Sequence, residues 1–244
     1  VGPDPSAGGG GIATVIGRLS SAQRAEGRSV AVVPTYAADR SLTFPGAMGA
    51  LIRELRMPGA VAHVHASLGA SRYRKSAVLH VARALRVPSV LHLHTGRLVE
   101  AYEASSLLGQ WRIRRWLHRA SRVVVVAEHW RDAVQRYTDR PVDVVYNPVY
   151  LRALPRVIPP KHFLFLGRLT ADKGVGVLLE ALAKLKQQGV FTVLVLAGTG
   201  ERERFEVLAG TLGVSDRVVF TGWVDEARRD VLLAEATALV MPSV

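Results

Sequence analysis

The sequence predicts an α/β protein built from two Rossmann-like, doubly wound parallel-sheet domains, the second of them incomplete. Three observations point there. Short runs rich in Val and Leu alternate with longer segments of helical period, the pattern of parallel strands joined by crossover helices. The strand-like runs are continuously apolar rather than alternating, as in sheets covered on both faces. The series is interrupted once, by NPVYLRALPRVIPPK at 147–161, which has four prolines and little periodicity.

Taken in order, the expected strands of the first domain are Val30–Pro34, Val61–Ala66, Ser89–His94, Val123–Ala127 and Val142–Tyr146. Those of the second are His162–Leu166, Thr192–Ala197, Val218–Thr221 and Leu239–Met241. The domains therefore read as 1–150 and 162–244, with a linker at 151–161. Two such domains are expected to leave a cleft between the carboxyl ends of their strands, where any chemistry should lie. The chain opens on Val1 and stops at MPSV directly after an apolar run, so both ends read as cut.

Composition narrows the function. The 244 residues are 49% hydrophobic, enough for buried cores, and contain no cysteine, which excludes disulfides, thiolate metal sites and a thiol nucleophile. This fits a cytoplasmic protein. The longest apolar stretches are strand-sized, far short of the roughly 18 residues of a membrane span. The formal charge of +12 raises nucleic acid, anionic membrane and phosphorylated substrates as partners. The cations are scattered, and no helix-turn-helix, aromatic ribonucleoprotein motif or zinc module accompanies them, so nucleic-acid binding rests on charge alone.

The most informative stretch is FLFLGRLTADKGVGVLLEALAKL, residues 163–185. An apolar strand ends at Gly167, a loop carries Arg168 and Lys173, and Val175, Leu178, Leu179, Leu182 and Leu185 mark the buried stripe of a helix. The free amides and positive dipole end of that helix face the loop, so an anion there would be held by both the helix and the two cations. The spacing is neither a P-loop nor G-x-G-x-x-G. The plain alternative is a solvated turn on which Asp172 pairs with Lys173. The next two strands also end in glycine, in AGTGERERF (Gly198, Gly200) and in FTGWVDEARRDVLL (Gly222, then Trp223 and Val224), with Asp225 placed to cap a helix.

In this order and at these intervals, GRLTADKG, AGTGERE, FTGWVDE and ALVMPS resemble the donor-binding domain of glycosyltransferase family 4, whose members have the GT-B fold. GGGGIATVIGRL, ASLGASRYRKS, VLHLHTG and VVYNPV resemble the acceptor-side half. The resemblance implies a retaining enzyme that moves a sugar from a UDP- or GDP-linked donor to a glycan or lipid-linked acceptor, without a metal or other cofactor. It assigns the donor diphosphate to Arg168, Lys173 and the glycine loop Gly9, Gly10 and Gly11. It assigns the nucleotide base to the glycine loops of Gly198, Gly200 and Gly222 with Trp223 and Val224, and the donor sugar to His94 as the catalytic histidine. The family pattern continues past PSV to two glutamates seven residues apart, so this chain is expected to be an inactive fragment.

Two rival readings remain. AHVHA (62–66) and LHLHT (91–95) each place two histidines on one face of a strand, which would suit a metal-dependent hydrolase or deacetylase if the strands are neighbours. No suitable carboxylate follows either pair. The second rival is the basic nucleic-acid binder. Two further basic stretches bear on partners. RYRKS puts Arg72, Arg74 and Lys75 at the start of a helix, where an acceptor or lipid phosphate would offset their clash with the dipole. WRIRRWLHR (111–119) mixes Trp, Ile and Leu with arginines and would suit either a core helix with a basic outer face or an anionic membrane surface, such as the inner face of the cell membrane.

Overall fold

In a computed structural model, residues 1–5, 10–36, 44–149 and 160–243 are described. The expected linker at 151–161 lies outside them except for Pro160 and Lys161. The chain divides into two compact units, Val1–Tyr150 and Leu151–Val244.

The first unit runs β1 (Gly2–Pro3), α1 (Gly10–Ala25), β2 (Pro34–Tyr36), α2 (Phe44–Leu55), β3 (Ala62–Ala66), α3 (Ala70–Ala84), β4 (Ser89–Leu93), α4 (Leu98–Glu103), α5 (Leu107–Arg119), β5 (Arg122–Val125), α6 (Glu128–Gln135) and β6 (Val142–Val144). Strands β3-β4-β5-β6 pair in parallel in that order. β1 pairs with β2 on one side, while the Val1 nitrogen donates to His63 O at 2.6 Å and Val1 O accepts from His65 N at 2.9 Å on the other. The chain thus winds outward in both directions from β1, as a doubly wound sheet requires.

Side chains alternate along each strand, so Val64, Ala66, Leu91, Leu93, Val123 and Val125 share one face. There they meet Val78, Leu79 and Ala82 of α3 and Ile113, Trp116 and Leu117 of α5 in one buried core. The opposite face of the same strands is not apolar. It carries His63, His65 and His92, and an Arg122–Asp143 ion pair of 2.8 Å, contrary to the expectation of strands apolar on both sides.

The second unit runs β7 (His162–Leu166), a 3-10 turn (Ala171–Lys173), α7 (Val175–Gln187), β8 (Leu194–Ala197), α8 (Arg202–Thr211), a second 3-10 turn (Ser215–Arg217), β9 (Val218–Gly222), α9 (Glu226–Glu235) and β10 (Ala236–Leu239). All four strands are parallel in the order β10-β7-β8-β9. Here the sheet is buried on both sides. Phe165, Leu194 and Leu196 pack with Val175, Leu179 and Leu182 of α7 and Phe205 of α8, whereas Leu164, Val195 and Ala197 pack with Leu232 of α9.

Three strand expectations need correction. The strand expected at Val30–Pro34 is instead Pro34–Tyr36, the residues that lie opposite Gly2 and Pro3 of β1 in parallel register. Residues Gly2–Pro3 are themselves a strand, which no apolar run announces. The strand expected at Leu239–Met241 is Ala236–Leu239, since Ala236 leaves α9 already extended and pairs with His162. Its small residues carry no apolar signal.

Candidate functional site

In the second unit the sequence climbs from β7 through β8 to β9 on one side, then returns to β10 on the other side of β7. The strand order reverses between β7 and β10, and ligands of open α/β sheets gather at the carboxyl ends of strands at such a point. The loop holding Arg168 and Lys173 follows β7 directly. Gly174 closes it as the α7 N-cap with φ +71°, and a Cβ there would stand 2.1 Å from Pro242 O, so the loops after β7 and β10 are packed backbone to backbone. No side chain caps α7, which leaves its first amides facing this loop.

Arg168 is exposed and pairs with no carboxylate among the described residues. Lys173 Nζ lies 3.6 Å from Asp172 Oδ2, with both side chains substantially in solvent. The solvated-turn reading is therefore correct as to the pair. The Asp172 carboxyl is held below its usual range, first by a hydrogen bond from Thr170 and then by Lys173. An exposed pair of this kind contributes only about 0–1 kcal/mol, so a doubly charged phosphate group can displace it at little cost.

The glycines of the next loop have a structural reason of their own. Gly198 (φ +151°) donates to Gly222 O at 2.8 Å, and a Cβ on it would sit 1.8 Å from Gly167 O. Gly200 forms a bridge with Leu169. The three loops after β7, β8 and β9 are thus stitched together by backbone at one edge. Past Gly222, Trp223 is 62% exposed, Val224 packs on the core beside Leu232, and Asp225 caps α9 by accepting from Arg228 N at 2.7 Å. Among the described residues, one concavity lies in the first unit between Ala31–Pro34 and α2, and another in the second unit between α8 and β9.

In the first unit Gly10 and Gly11 open α1 and are exposed, with open space where a Cβ would project; Gly9 lies outside the described residues. His94 continues β4, its amide donating to Ala66 O at 2.9 Å. Parallel register sets His65 beside His92, so the two histidine pairs do meet. His65 Nδ1 and His94 Nε2 share a hydrogen bond of 2.9 Å, and His63 Nε2 lies 3.2 Å from His92 Nδ1. Burial disfavours the charged ring and pushes His63 and His94 down to about 4 and His92 to about 3; His65 is lowered further, by burial and its three imidazole neighbours. All four rings are neutral at pH 7, so His94 offers a hydrogen bond rather than a charge. Among the described residues the metal-capable group is His63, His65 and His92, with no carboxylate in it.

The basic start of α3 is only partly what its composition suggests. Arg72 lies over the exposed Tyr73 ring at 5.1 Å, and Arg74 is half-buried. Lys75 is 2% exposed, and its ammonium donates to the Thr35 hydroxyl. Its place one helical turn before Val78 and Leu79 turns it into the core, so Lys75 is not open to an acceptor or lipid phosphate. On α5 the residues split likewise. Ile113, Trp116 and Leu117 are buried, whereas Leu107, Leu108 and Trp111 are exposed, with Arg115 stacked on Trp111 at 5.2 Å. No helix among the described residues is long and apolar enough to cross a membrane.

Comparison with known proteins assigns both units. Residues 9–152 match the family described as Glycosyltransferase Family 4, and residues 152–244 match Glycosyl transferases group 1. The chain belongs to glycosyltransferase family 4. It is 26% identical over 206 residues to the alpha-D-kanosaminyltransferase of Streptomyces kanamyceticus, covering 75% of this chain and 53% of that one. The chain spans about half the length of the curated relatives it matches. Among solved structures, the lipopolysaccharide outer core galactosyltransferase WaaB aligns with a TM-score of 0.62 at 16% identity, over 99% of this chain and 72% of its own. The catalytic domain of starch synthase IV from Arabidopsis thaliana, bound to ADP and acarbose, aligns at 0.54 and 13% over 82% and 55%. These likenesses establish the GT-B glycosyltransferase fold, with Rossmann-like parallel-sheet units.

Proposed function

We propose that the protein transfers a sugar, with retention of anomeric configuration, from a UDP- or GDP-linked donor to a glycan or lipid-linked acceptor. The observation that carries this reading is the loop after β7, which bears Arg168 and Lys173 and leads into the uncapped start of α7 at the switch point of the sheet. A structural neighbour of the same fold is bound to a nucleoside diphosphate, which supports the donor class.

In this reading the bond between the anomeric carbon and the diphosphate oxygen breaks as the acceptor oxygen bonds to that carbon on the same face. The acceptor proton passes to the departing phosphate oxygen. Negative charge grows on the diphosphate as the bond lengthens, so fixed cations and helix amides stabilise the transition state more than the ground state. Arg168 and Lys173 supply that charge, and no metal is required for it. Gly10 and Gly11 offer the open start of α1 to the donor phosphates, and neutral His94 hydrogen-bonds the donor sugar. Trp223, beside Gly222 and Val224, offers a flat apolar wall to the base, and the loop of Gly198 and Gly200 lines the same edge.

The exposed Leu107, Leu108 and Trp111 with Arg115 fit contact with an anionic membrane surface, where a lipid-linked acceptor would be met. The reaction is tested by incubating a chain that includes the two glutamates expected past PSV with UDP- and GDP-sugars and acceptor and reading the product anomer by NMR. A product of retained configuration, formed equally well without added Mg2+, is expected. An inverted product, or strict dependence on Mg2+, contradicts the proposal.

A further inference from the structure

The four-histidine array on β3 and β4 is more than the proposed transfer reaction uses, since only His94 has a place in it. Parallel pairing sets His65 directly opposite His92, and the period of two sets His63 and His94 one step before and after them on the same face. The rings stack in a ladder, with centroids 4.2 Å apart for His63 and His65 and 5.0 Å apart for His65 and His92. Clustering imidazoles in this way carries a desolvation penalty, which an apolar face would have avoided.

We infer that His63, His65 and His92 form a binding site for one divalent first-row transition metal of the zinc type, clamping β3 to β4. Three geometric facts carry this. One ring nitrogen from each of the three histidines lies within 4.8 Å of the others. His63 Nε2 and His92 Nδ1 stand 3.2 Å apart, close to the edge of about 3.3 Å in a tetrahedron with zinc–nitrogen bonds of about 2.0–2.1 Å. His92 is 1% and His65 4% exposed, so an ion held between these rings would be sheltered from bulk water. The site is half open at His63, which gives an ion a way in.

The chemistry of the donor set selects the ion. Three neutral imidazoles without a thiolate or carboxylate suit zinc, nickel or copper and offer nothing to magnesium or calcium, which take oxygen. Three ligands leave the fourth position to water or to a group brought by another molecule. His94 then stands just outside the ligand set, hydrogen-bonded to His65. A metal on the far nitrogen of His65 would leave Nδ1–H to donate to His94 Nε2 and so fix the tautomer of His94.

The test is calorimetric titration of the metal-free chain with ZnCl2, paired with thermal unfolding and X-ray absorption of the zinc-loaded chain. One-to-one binding and a higher melting temperature are expected, because the three imidazoles are brought together only in the folded chain. Absorption should show three imidazole nitrogens. His63→Gln should weaken zinc binding roughly tenfold or more, on the scale of lost metal-site interactions. His80→Gln, at an exposed histidine bonded to Ser76 O, should leave it unchanged. Failure of the native chain to bind zinc, fewer than three imidazoles in the absorption spectrum, or equal loss in both variants would each overturn the assignment. Should His63→Gln not fold, the absorption spectrum of the native chain decides alone.

Discussion

Lys75 is the residue whose surroundings conflict most with its chemistry. It lies 2% exposed with the Thr35 hydroxyl as its hydrogen-bond partner, and burial first, then Arg74, push its ammonium down to about 7. The unfolded chain keeps this proton up to about 10.5, whereas the folded chain loses it near 7, so between those values the unfolded state binds more protons. Stability therefore rises with pH across that window, and below pH 7 the full penalty of the buried charge is present. Lys75→Met removes the charge but keeps the length. Chemical denaturation at pH 6.5 should show the variant more stable by a few kcal/mol, since every tenfold loss of proton affinity on folding is worth about 1.4 kcal/mol. The advantage should shrink toward pH 10, and a variant less stable than the native chain at pH 6.5 contradicts this account. The cations of the loop after β7 and the Asp225 cap are legible in the sequence because each is fixed by residues within a few positions. The burial of Lys75 is hidden by its basic neighbours in RYRKS, although Val78 and Leu79, three and four positions on, mark its face as the inner one.

Helix α5 shows what periodicity can and cannot tell. Ile113, Trp116 and Leu117 follow the spacing of a buried stripe and are buried. Leu107 and Leu108 precede the arginine-rich stretch, and nothing in their spacing announces that they stay in water, at 85% and 56% exposure. An exposed Leu-Leu-Trp group beside arginines is placed to enter an interface, each apolar side chain contributing up to about 1.5–3 kcal/mol and each nearby arginine about 1 kcal/mol on anionic lipid. Sedimentation with vesicles containing phosphatidylserine should show binding that weakens with salt and is lost in a Leu107→Ser, Leu108→Ser, Trp111→Ser variant of unchanged circular dichroism. Equal sedimentation of variant and native chain would remove α5 from membrane contact. The strand boundaries differ from expectation for a related reason. β2 and β10 are set by which partner backbone is available, whereas the apolar runs Val30–Val33 and Leu239–Met241 only lie beside the pairing residues.

At the scale of the molecule, alternating apolar runs and helical periods are enough to read two parallel α/β units, because a parallel strand needs a crossover and a crossover needs helix-length sequence between strands. What they do not give is strand order. The return of β10 to the far side of β7 is a long-range choice, and it sets the loop after β7 at a switch point of the sheet. Likewise the polar face of β3 and β4 follows from register, which no single strand encodes. The proposed grip of this loop on a diphosphate is open to direct test by equilibrium binding. Titration calorimetry with UDP and GDP, each against its nucleoside, should show that the diphosphate dominates affinity. Arg168→Ala and Lys173→Ala should each cost about 1.5–3 kcal/mol, roughly ten- to hundredfold, in diphosphate binding and nothing in nucleoside binding. Native affinity for both diphosphates in both variants would contradict the account.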